Sequence, residues 1–373
     1  MLRAVEYPDA RHLDPAWERA RPAGQNVAMP GFLRAYETGG IEGVTLRYLG
    51  VYDGARFLGG AAFSQVAFGL DLMAPKAIRA GAAHVRGFWP GFARLRSTTC
   101  GVWAGQGGNE AVIADPATAD AVIDRLAARA EALAQSAGSN VVVFKEFRTE
   151  ETTVWDRLRR HGYLRLHSLP FASMEIRWRT FGEYLQALRS GYRRQARANL
   201  ARRDLPGVTL DLGARIEDHV DEFHLLYLQV MDHTDFHIET LTPAFFRALG
   251  RELGPACRLV AMRRNGDLLG GALWALDRDH LTFLYAGFDY ARLREHDTYF
   301  ILPYSLPAAG IAAGVKVLDF GQLSSDAKTR MGARLGEVFA YAKGRGFPVA
   351  PVVTHLGNRL YPPHPMPVRH VFK

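Results

Sequence analysis

Cysteine is nearly absent: Cys100 and Cys257 are the only two in 373 residues. Two lone thiols in so long a chain exclude a disulfide framework and a thiolate zinc site, and they suit a reducing compartment. Long apolar runs are lacking as well. No window approaches the ~18 uninterrupted apolar residues of a spanning helix. The opening segment, MLRAVEYPDARHLDPAWERARPAG, interleaves charged and apolar side chains. It reads as neither a secretory signal nor an anchor, so the expectation is a cytoplasmic protein without integral membrane contact. No Gly-Xaa-Ser-Xaa-Gly elbow occurs, which removes the serine-hydrolase reading. Neither cysteine stands in the basic context of a thiolate nucleophile.

What is present belongs to a globular protein. Hydrophobic residues make up 48% and charged residues 23%, which excludes disorder and collagen. The length exceeds what one core usually fills, so two domains are expected. The net charge is +8, from 46 Lys and Arg against 38 Asp and Glu. Acids are missing from two stretches. Tyr184 to Arg203 holds Arg189, Arg193, Arg194, Arg197, Arg202 and Arg203 without an acid, and after Glu337 come only Lys343, Arg345, Arg359, Arg369 and Lys373. Without these segments the chain is slightly acidic. Charge so concentrated fits one dedicated anionic ligand and not a protein that coats DNA.

Two stretches share their punctuation. LRYLGVYDGARFLGGAAFSQ turns at Asp53-Gly54, and CRLVAMRRNGDLLGGALWAL turns at Asn265-Gly266, each between apolar runs that read as a β-hairpin. Both second strands open with Leu-Gly-Gly-Ala, and paired glycines inside a strand signal close approach by another group. A similar succession follows each hairpin: a strand, a polar or glycine loop, a helix stopped by glycine, and a buried strand. The helices are expected near 117–138 and 298–313, and the buried strands at 140–144 and 315–320. Matching units imply a duplicated α/β arrangement. Between them the pattern predicts a helix over 154–162, a strand over 171–178 and one Arg-rich helix over 181–203. Helices over 218–231 and 243–253 follow, the latter with proline in its first turn. The tail from Phe347 is expected to be extended.

The order of elements in the second half resembles the GNAT acyltransferase fold. The doubled arrangement is similar to the tandem-GNAT family of FemAB/FemX aminoacyl transferases. The segments that carry the resemblance are LRRHGYLRLHSL with FASMEI, the basic YRRQARANLARR, and FLYAGFDYARLREHDTYFILPYSLPAAGIAAGV with LDFGQLSSDAKTRMGA, which includes the Lys-Xaa-Xaa-Xaa-Gly stretch from Lys328 to Gly332. The resemblance implies an α/β (α+β) fold of two tandem GNAT-like domains, 1–176 and 177–373, each a mixed twisted sheet flanked by helices, with the active site in the second. Two departures leave the donor open. The Gly-rich pyrophosphate loop is replaced by GFDYARLREHDTY, and there is no heptad-patterned helical arm.

The candidate residues form three groups. Arg189, Arg193 and Arg197 share a helix face with Arg194 nearby, and a guanidinium fork grips phosphate. The anion is a CoA phosphate or a tRNA backbone, and the alternative is a solvated face paired with acids. MDHTDFHIET carries His233, Asp235, His237 and Glu239 between two helices. By resemblance this loop roofs the acceptor site, where His237 or Asp235 would take the proton of the attacking ammonium. No metal is expected there. Gln322, Ser324, Asp326 and Lys328 follow a buried strand, where open α/β sheets bind ligands. Resemblance gives Lys328 a phosphate or the transferring carbonyl. Tyr285 could protonate the leaving group, with Asp289 and Tyr290 beside it, and Gly105 to Gly108 reads as a plain glycine turn. The expected function is an N-acyltransferase that moves an acyl or aminoacyl group to a small-molecule amine, with backbone donors of Thr282–Ala286 facing the oxyanion. The donor co-substrate is acyl-CoA, a carrier-protein thioester or aminoacyl-tRNA, with no tightly bound cofactor. The alternative is a non-catalytic ligand-binding protein on a degenerate GNAT pair.

Overall fold

The computed structural model describes residues 2–69, 76–89, 91–92, 94–103, 107–234, 239–292, 298–322 and 325–373. The strands of the first half are β1 (Leu2–Tyr7), β2 (Thr45–Asp53), β3 (Arg56–Gly69), β4 (Arg94–Cys100), β5 (Ala111–Ile113), β6 (Val141–Arg148) and β7 (Leu164–His167). Those that follow are β8 (Phe171–Glu175), β9 (Val208–Ala214), β10 (Cys257–Arg264), β11 (Asp267–Asp277), β12 (His280–Phe288), β13 (Val317–Gly321), β14 (Arg334–Gly336) and β15 (Val338–Gly344). They build two sheets. The first runs β1-β2-β3-β4-β6-β15-β7, with β5 paired to β3; the second, read from its far edge, runs β9-β10-β11-β12-β13-β8-β14.

The two orders match position by position once β8 and β15 are exchanged. Each half makes its last strand for the other half's sheet. Strand pairing therefore crosses the boundary expected at 176 in both directions: β8 joins the second sheet and β15 the first. Within each sheet one pair is parallel, β4 with β6 and β12 with β13.

Both expected hairpins form, from β2 to β3 and from β10 to β11. Gly54, Asn265 and Gly266 take positive φ, as tight two-residue turns require. The paired glycines do meet close neighbours. A Cβ on Gly60 would lie 2.7 Å from Trp17, and one on Gly271 would lie 2.9 Å from Phe223. These aromatics lie on helices that cover the two sheets. Helix 30–38 packs on helix 243–253, so Trp17, Phe32 and Tyr36 share one core with Phe223, Phe245, Phe246 and Tyr285.

Other expectations change. The Arg-rich segment is not one helix: it breaks at Leu188–Arg189, where both residues take extended ψ, into helices Phe181–Ala187 and Ser190–Leu200. The break lets Leu188 pair with Phe372 of the tail. The tail is not wholly extended either, since Val349–Leu360 is helical and packs on β15 and β7.

A buried ion pair locks the halves together. Arg21, with no exposed side-chain surface, grips both carboxylate oxygens of Asp277 at 2.5 and 2.9 Å. The same carboxylate accepts the Gly24 amide at 2.7 Å, and Glu18 also accepts from Arg21. Removing one partner strands a buried charge, which costs far more than the intact pair contributes. Asp277→Ala is therefore expected to lower unfolding free energy by about 3 kcal/mol in urea titrations. Arg21→Met added to it should cost little more, because no charge is then left unpaired.

Candidate active site

In the second sheet, β12 and β13 run together only through Thr282 and Asp319, and no register pair joins them beyond that point. Leu273 of β11 faces Tyr285, whereas the next residue, Trp274, faces Phe283. Leu284 is thus the extra residue of a β-bulge, and bulges re-aim a strand beside functional sites. A narrow cavity of ≈ 20 Å³, roughly room for one water, opens at this point. Thr282, Leu284 and Phe171 line it from the second sheet, while Asn26, Gly107, Asn109, Glu146, Arg148 and Glu151 line it from the first half.

Asp319 stands at the divergence with no side-chain exposure. Arg148 donates to its Oδ2 at 3.3 Å, and its Oδ1 is buried with no hydrogen-bond partner. Burial raises its pKa, against the pull of Arg148 and His280. Arg148 also lies over the Phe171 ring at 4.2 Å, so it bridges the two sheets. Asn26 donates from its amide to Thr282 Oγ1 across the same junction. Gly107 has to be glycine: φ is +91° and a Cβ would lie 2.3 Å from the Phe171 ring.

A second group of buried charges sits at the corresponding divergence of the first sheet. Lys145 lies 3.9 Å from Glu110 and 3.1 Å from Glu146. Burial, which outweighs the attraction of Lys145, pushes Glu110 up to about 7, and neither of its oxygens has a hydrogen-bond partner. Burial opposes the Lys145 charge, but the surrounding glutamates prevail and its pKa rises. Glu146 caps the Gly107 amide, and Glu151 receives hydrogen bonds from Asn109 and the Arg148 amide.

The expected site residues are dispersed. Asp235, His237 and Ser324 lie outside the described residues. Glu239 is half-buried at the interface between the halves; Tyr36 donates to it, its other oxygen is buried and unpartnered, and desolvation lifts it to about 7. His233 stacks on Tyr290 at 3.7 Å, and Asp289 accepts amides in the turn beyond β12, so these three gather at one end of that strand. Gln322 reaches the cavity rim, its Cγ 3.1 Å from where a Gly107 Cβ would stand, and donates to the Leu169 carbonyl. Asp326 is exposed, pairs with Arg330 of its own helix and ties down the tail through Arg369. The structure gives Tyr285 to the core, where Tyr227, Phe245 and Phe246 surround it and burial raises its pKa far above the usual phenol value.

Arg189 and Arg193 donate to carbonyls, of Phe372 and of Gln186 and Leu188. Arg194 and Arg197 are exposed and make no side-chain hydrogen bond or ion pair among the described residues. At and just past the end of their helix, Leu200 and Arg203 line a cavity of ≈ 360 Å³ with Leu210, Leu212 and Tyr304. Gly107 and Gly108 wall the small cavity, so the stretch read as a plain turn has a structural task. Asp319, Arg148 and Glu110 were missed. Their signal was charge beside or inside apolar strand sequence, as in LDFG, VVVFKEFR and NEAVI. Among the described residues, no group of three or more His, Cys, Asp or Glu side chains is placed to hold a metal ion.

Residues 186–329 match the family model of the acetyltransferase (GNAT) domain. No curated protein matches. Among solved structures, that of FemX aligns at a TM-score of 0.58 and 12% identity, over 90% of this chain and 96% of FemX. A tandem GNAT protein from the clavulanic acid biosynthesis pathway aligns at 0.52 and 11%, over 93% and 99%. L-PGS from Bacillus licheniformis aligns at 0.50 and 12%, over 93% and 96%. The fold is the tandem-GNAT, FemX-like one, two mixed sheets flanked by helices.

Lys328 is buried and makes no side-chain hydrogen bond or ion pair among the described residues, and burial alone lowers its pKa to about 7. The unfolded lysine keeps its proton to a pKa of 10.5. The folded state is therefore penalised in full below about pH 7, and the penalty fades as pH rises toward 10.5. Lys328→Met should raise the melting temperature at neutral pH, and the gain should shrink at about pH 10. A gain independent of pH would contradict the buried, unpartnered ammonium.

Proposed function

We infer that this tandem-GNAT chain is an N-acyltransferase whose reaction takes place where β12 and β13 part. The domain model matched by the second half is that of acetyltransferases, which favours an enzyme over the non-catalytic alternative. The observation that carries the location is Asp319: a buried carboxylate with one free oxygen, in register with Thr282 where the strands part and held by Arg148 of the other half.

In this reading the acceptor amine reaches the donor carbonyl along β12. Its nitrogen forms the new C–N bond, and the C–S bond of a thioester or the C–O bond of an ester breaks. On the β13 side, β12 has no strand partner past Thr282, so backbone N–H groups there can face the oxyanion. Asp319 receives the proton that the amine nitrogen loses, and burial, which raises its pKa, favours the protonated carboxyl. Lys328, partly protonated at pH 7 because burial lowers its pKa to about 7, is the candidate to give a proton to the leaving thiol or hydroxyl. The cavity in its present form admits only about one water, so the wall formed by Gly107 and Phe171 has to yield to substrate.

The donor is an acyl-CoA, a carrier-protein thioester or an aminoacyl-tRNA, each with phosphates that Arg194 and Arg197 could meet. His237 and Asp235 remain candidates for the acceptor side. Asp319→Asn should lower turnover by about 10²-fold or more in a mass-spectrometric assay of amide formation, with the melting temperature within a few degrees of wild type. An undiminished rate would remove Asp319 from the chemistry. Ribonuclease added to an active extract separates the donors: lost activity means aminoacyl-tRNA, and unchanged activity a thioester.

A further inference from the structure

Large apolar side chains rarely stand exposed in groups on a soluble surface without a partner. Among the described residues, all the exposed large apolar side chains except Leu169, Leu205 and Leu225 fall in two stretches. One is 72–109 and the other 338–373, and neither contains an Asp or Glu. The first holds Lys76, Arg79, Arg86, Arg94 and Arg96, a basic segment beyond the two noted above.

Both stretches present the same surface chemistry. Helix Lys76–Phe88 leads to Phe88 and Trp89, which are 83% and 65% exposed. Helix Val349–Leu360 carries Val352, Leu356 and Leu360 four residues apart on one outward stripe, with Phe347 93% exposed at its start and Tyr361 at its end. Its inner side is already occupied, since Gly357 lies against Leu164 and Leu166. The outward stripe is thus surplus to the fold. Arg359 on this helix, and Arg94 and Arg96 at the root of the other stretch, are exposed and make no side-chain ion pair or hydrogen bond among the described residues. Leu95 packs into the same small cluster as Val353, so the two stretches border one another on the first sheet.

We propose that Val85 to Trp89 with Arg94 and Arg96, and helix Val349–Leu360 with Phe347 and Tyr361, form one peripheral docking surface for an anionic lipid bilayer. Aromatic and aliphatic side chains enter the headgroup boundary while the cations meet lipid phosphates. Trp89 is suited to that boundary, with an apolar ring and a polar N–H. No helix among the described residues is long and apolar enough to cross a membrane, so the contact is with the surface. Nucleic acid would match the cations and the aromatics, but it has no use for the aliphatic stripe of Val352, Leu356 and Leu360.

The test is sedimentation of the full chain with vesicles of phosphatidylcholine alone and of phosphatidylcholine with phosphatidylglycerol. Binding is expected to the anionic vesicles, weakening as salt rises. Two double variants, Phe88→Ser with Trp89→Ser and Leu356→Ser with Leu360→Ser, should each weaken it about tenfold or more and keep the wild-type melting curve. Failure of the wild type to sediment with anionic vesicles would overturn the proposal. So would undiminished binding by both variants. A dimer in solution that becomes monomeric in the variants would assign the surface to a second copy instead, and salt-sensitive binding to single-stranded RNA that competes with the vesicles would assign it to nucleic acid.

Discussion

Each sheet of this protein is completed by a strand that the other half supplies. β15 lies between β6 and β7, and β8 lies between β13 and β14. Backbone hydrogen bonds buried in the middle of a sheet have no cheap alternative partner, so neither half can close its sheet by itself. This reciprocal exchange fixes the relative placement of the halves. It brings the end of β6, with Arg148 and Glu146, against the divergence of β12 and β13. A cleft between two independently folded domains could open and close freely, whereas this one is held by the sheets themselves.

The junction is unusually rich in buried charge. Arg21 with Asp277, Arg148 with Asp319, and Lys145 with Glu110 and Glu146 are each wholly or largely withdrawn from water. Burying such groups seldom adds net stability, because desolvation offsets the attraction. Their value lies in geometry and in proton affinity. Arg21 and Asp277 hold the Gly24–Asn26 segment against β12. Asp319 keeps half of its carboxylate unpaired, and Lys328 has no side-chain partner among the described residues. Groups whose environments move their pKa values toward neutrality are those that acid–base chemistry can use. The first sheet keeps a related arrangement at its own divergence, but there Glu110 and Lys145 fill the space.

Much of the fold was legible because it depended on local signals. Asp53-Gly54 and Asn265-Gly266 forced the two hairpins, and Thr242 with Pro243 set the start of a helix that runs to Leu253. The Gly-Gly pairs announced close packing, which Trp17 and Phe223 supply. What was illegible depended on distant partners. Nothing near Val338–Gly344 says that it pairs with β6 and β7, and nothing near Leu188 says that Phe372 will break the Arg-rich helix. The same holds for the site. Polar residues after β13 were visible, but their separation was not: Asp326 turned out to hold the tail, while the buried carboxylate at the divergence was Asp319, hidden within apolar neighbours. Tyr285 read as a proton donor because it flanks the loop that replaces the pyrophosphate motif; packing by Tyr227, Phe245 and Phe246 made it a core residue.

The central claim is that donor and acceptor meet at the divergence of β12 and β13. Hydrogen–deuterium exchange tests it most directly, on the intact chain titrated with a non-transferable CoA thioether and, separately, with an amide-linked aminoacyl-tRNA analogue. The account expects one of the two to protect the amides of Phe283–Phe288 and of the Phe320–Gln322 segment. Protection confined to the first sheet around Cys100 and Gly101, or none with either analogue, would contradict it.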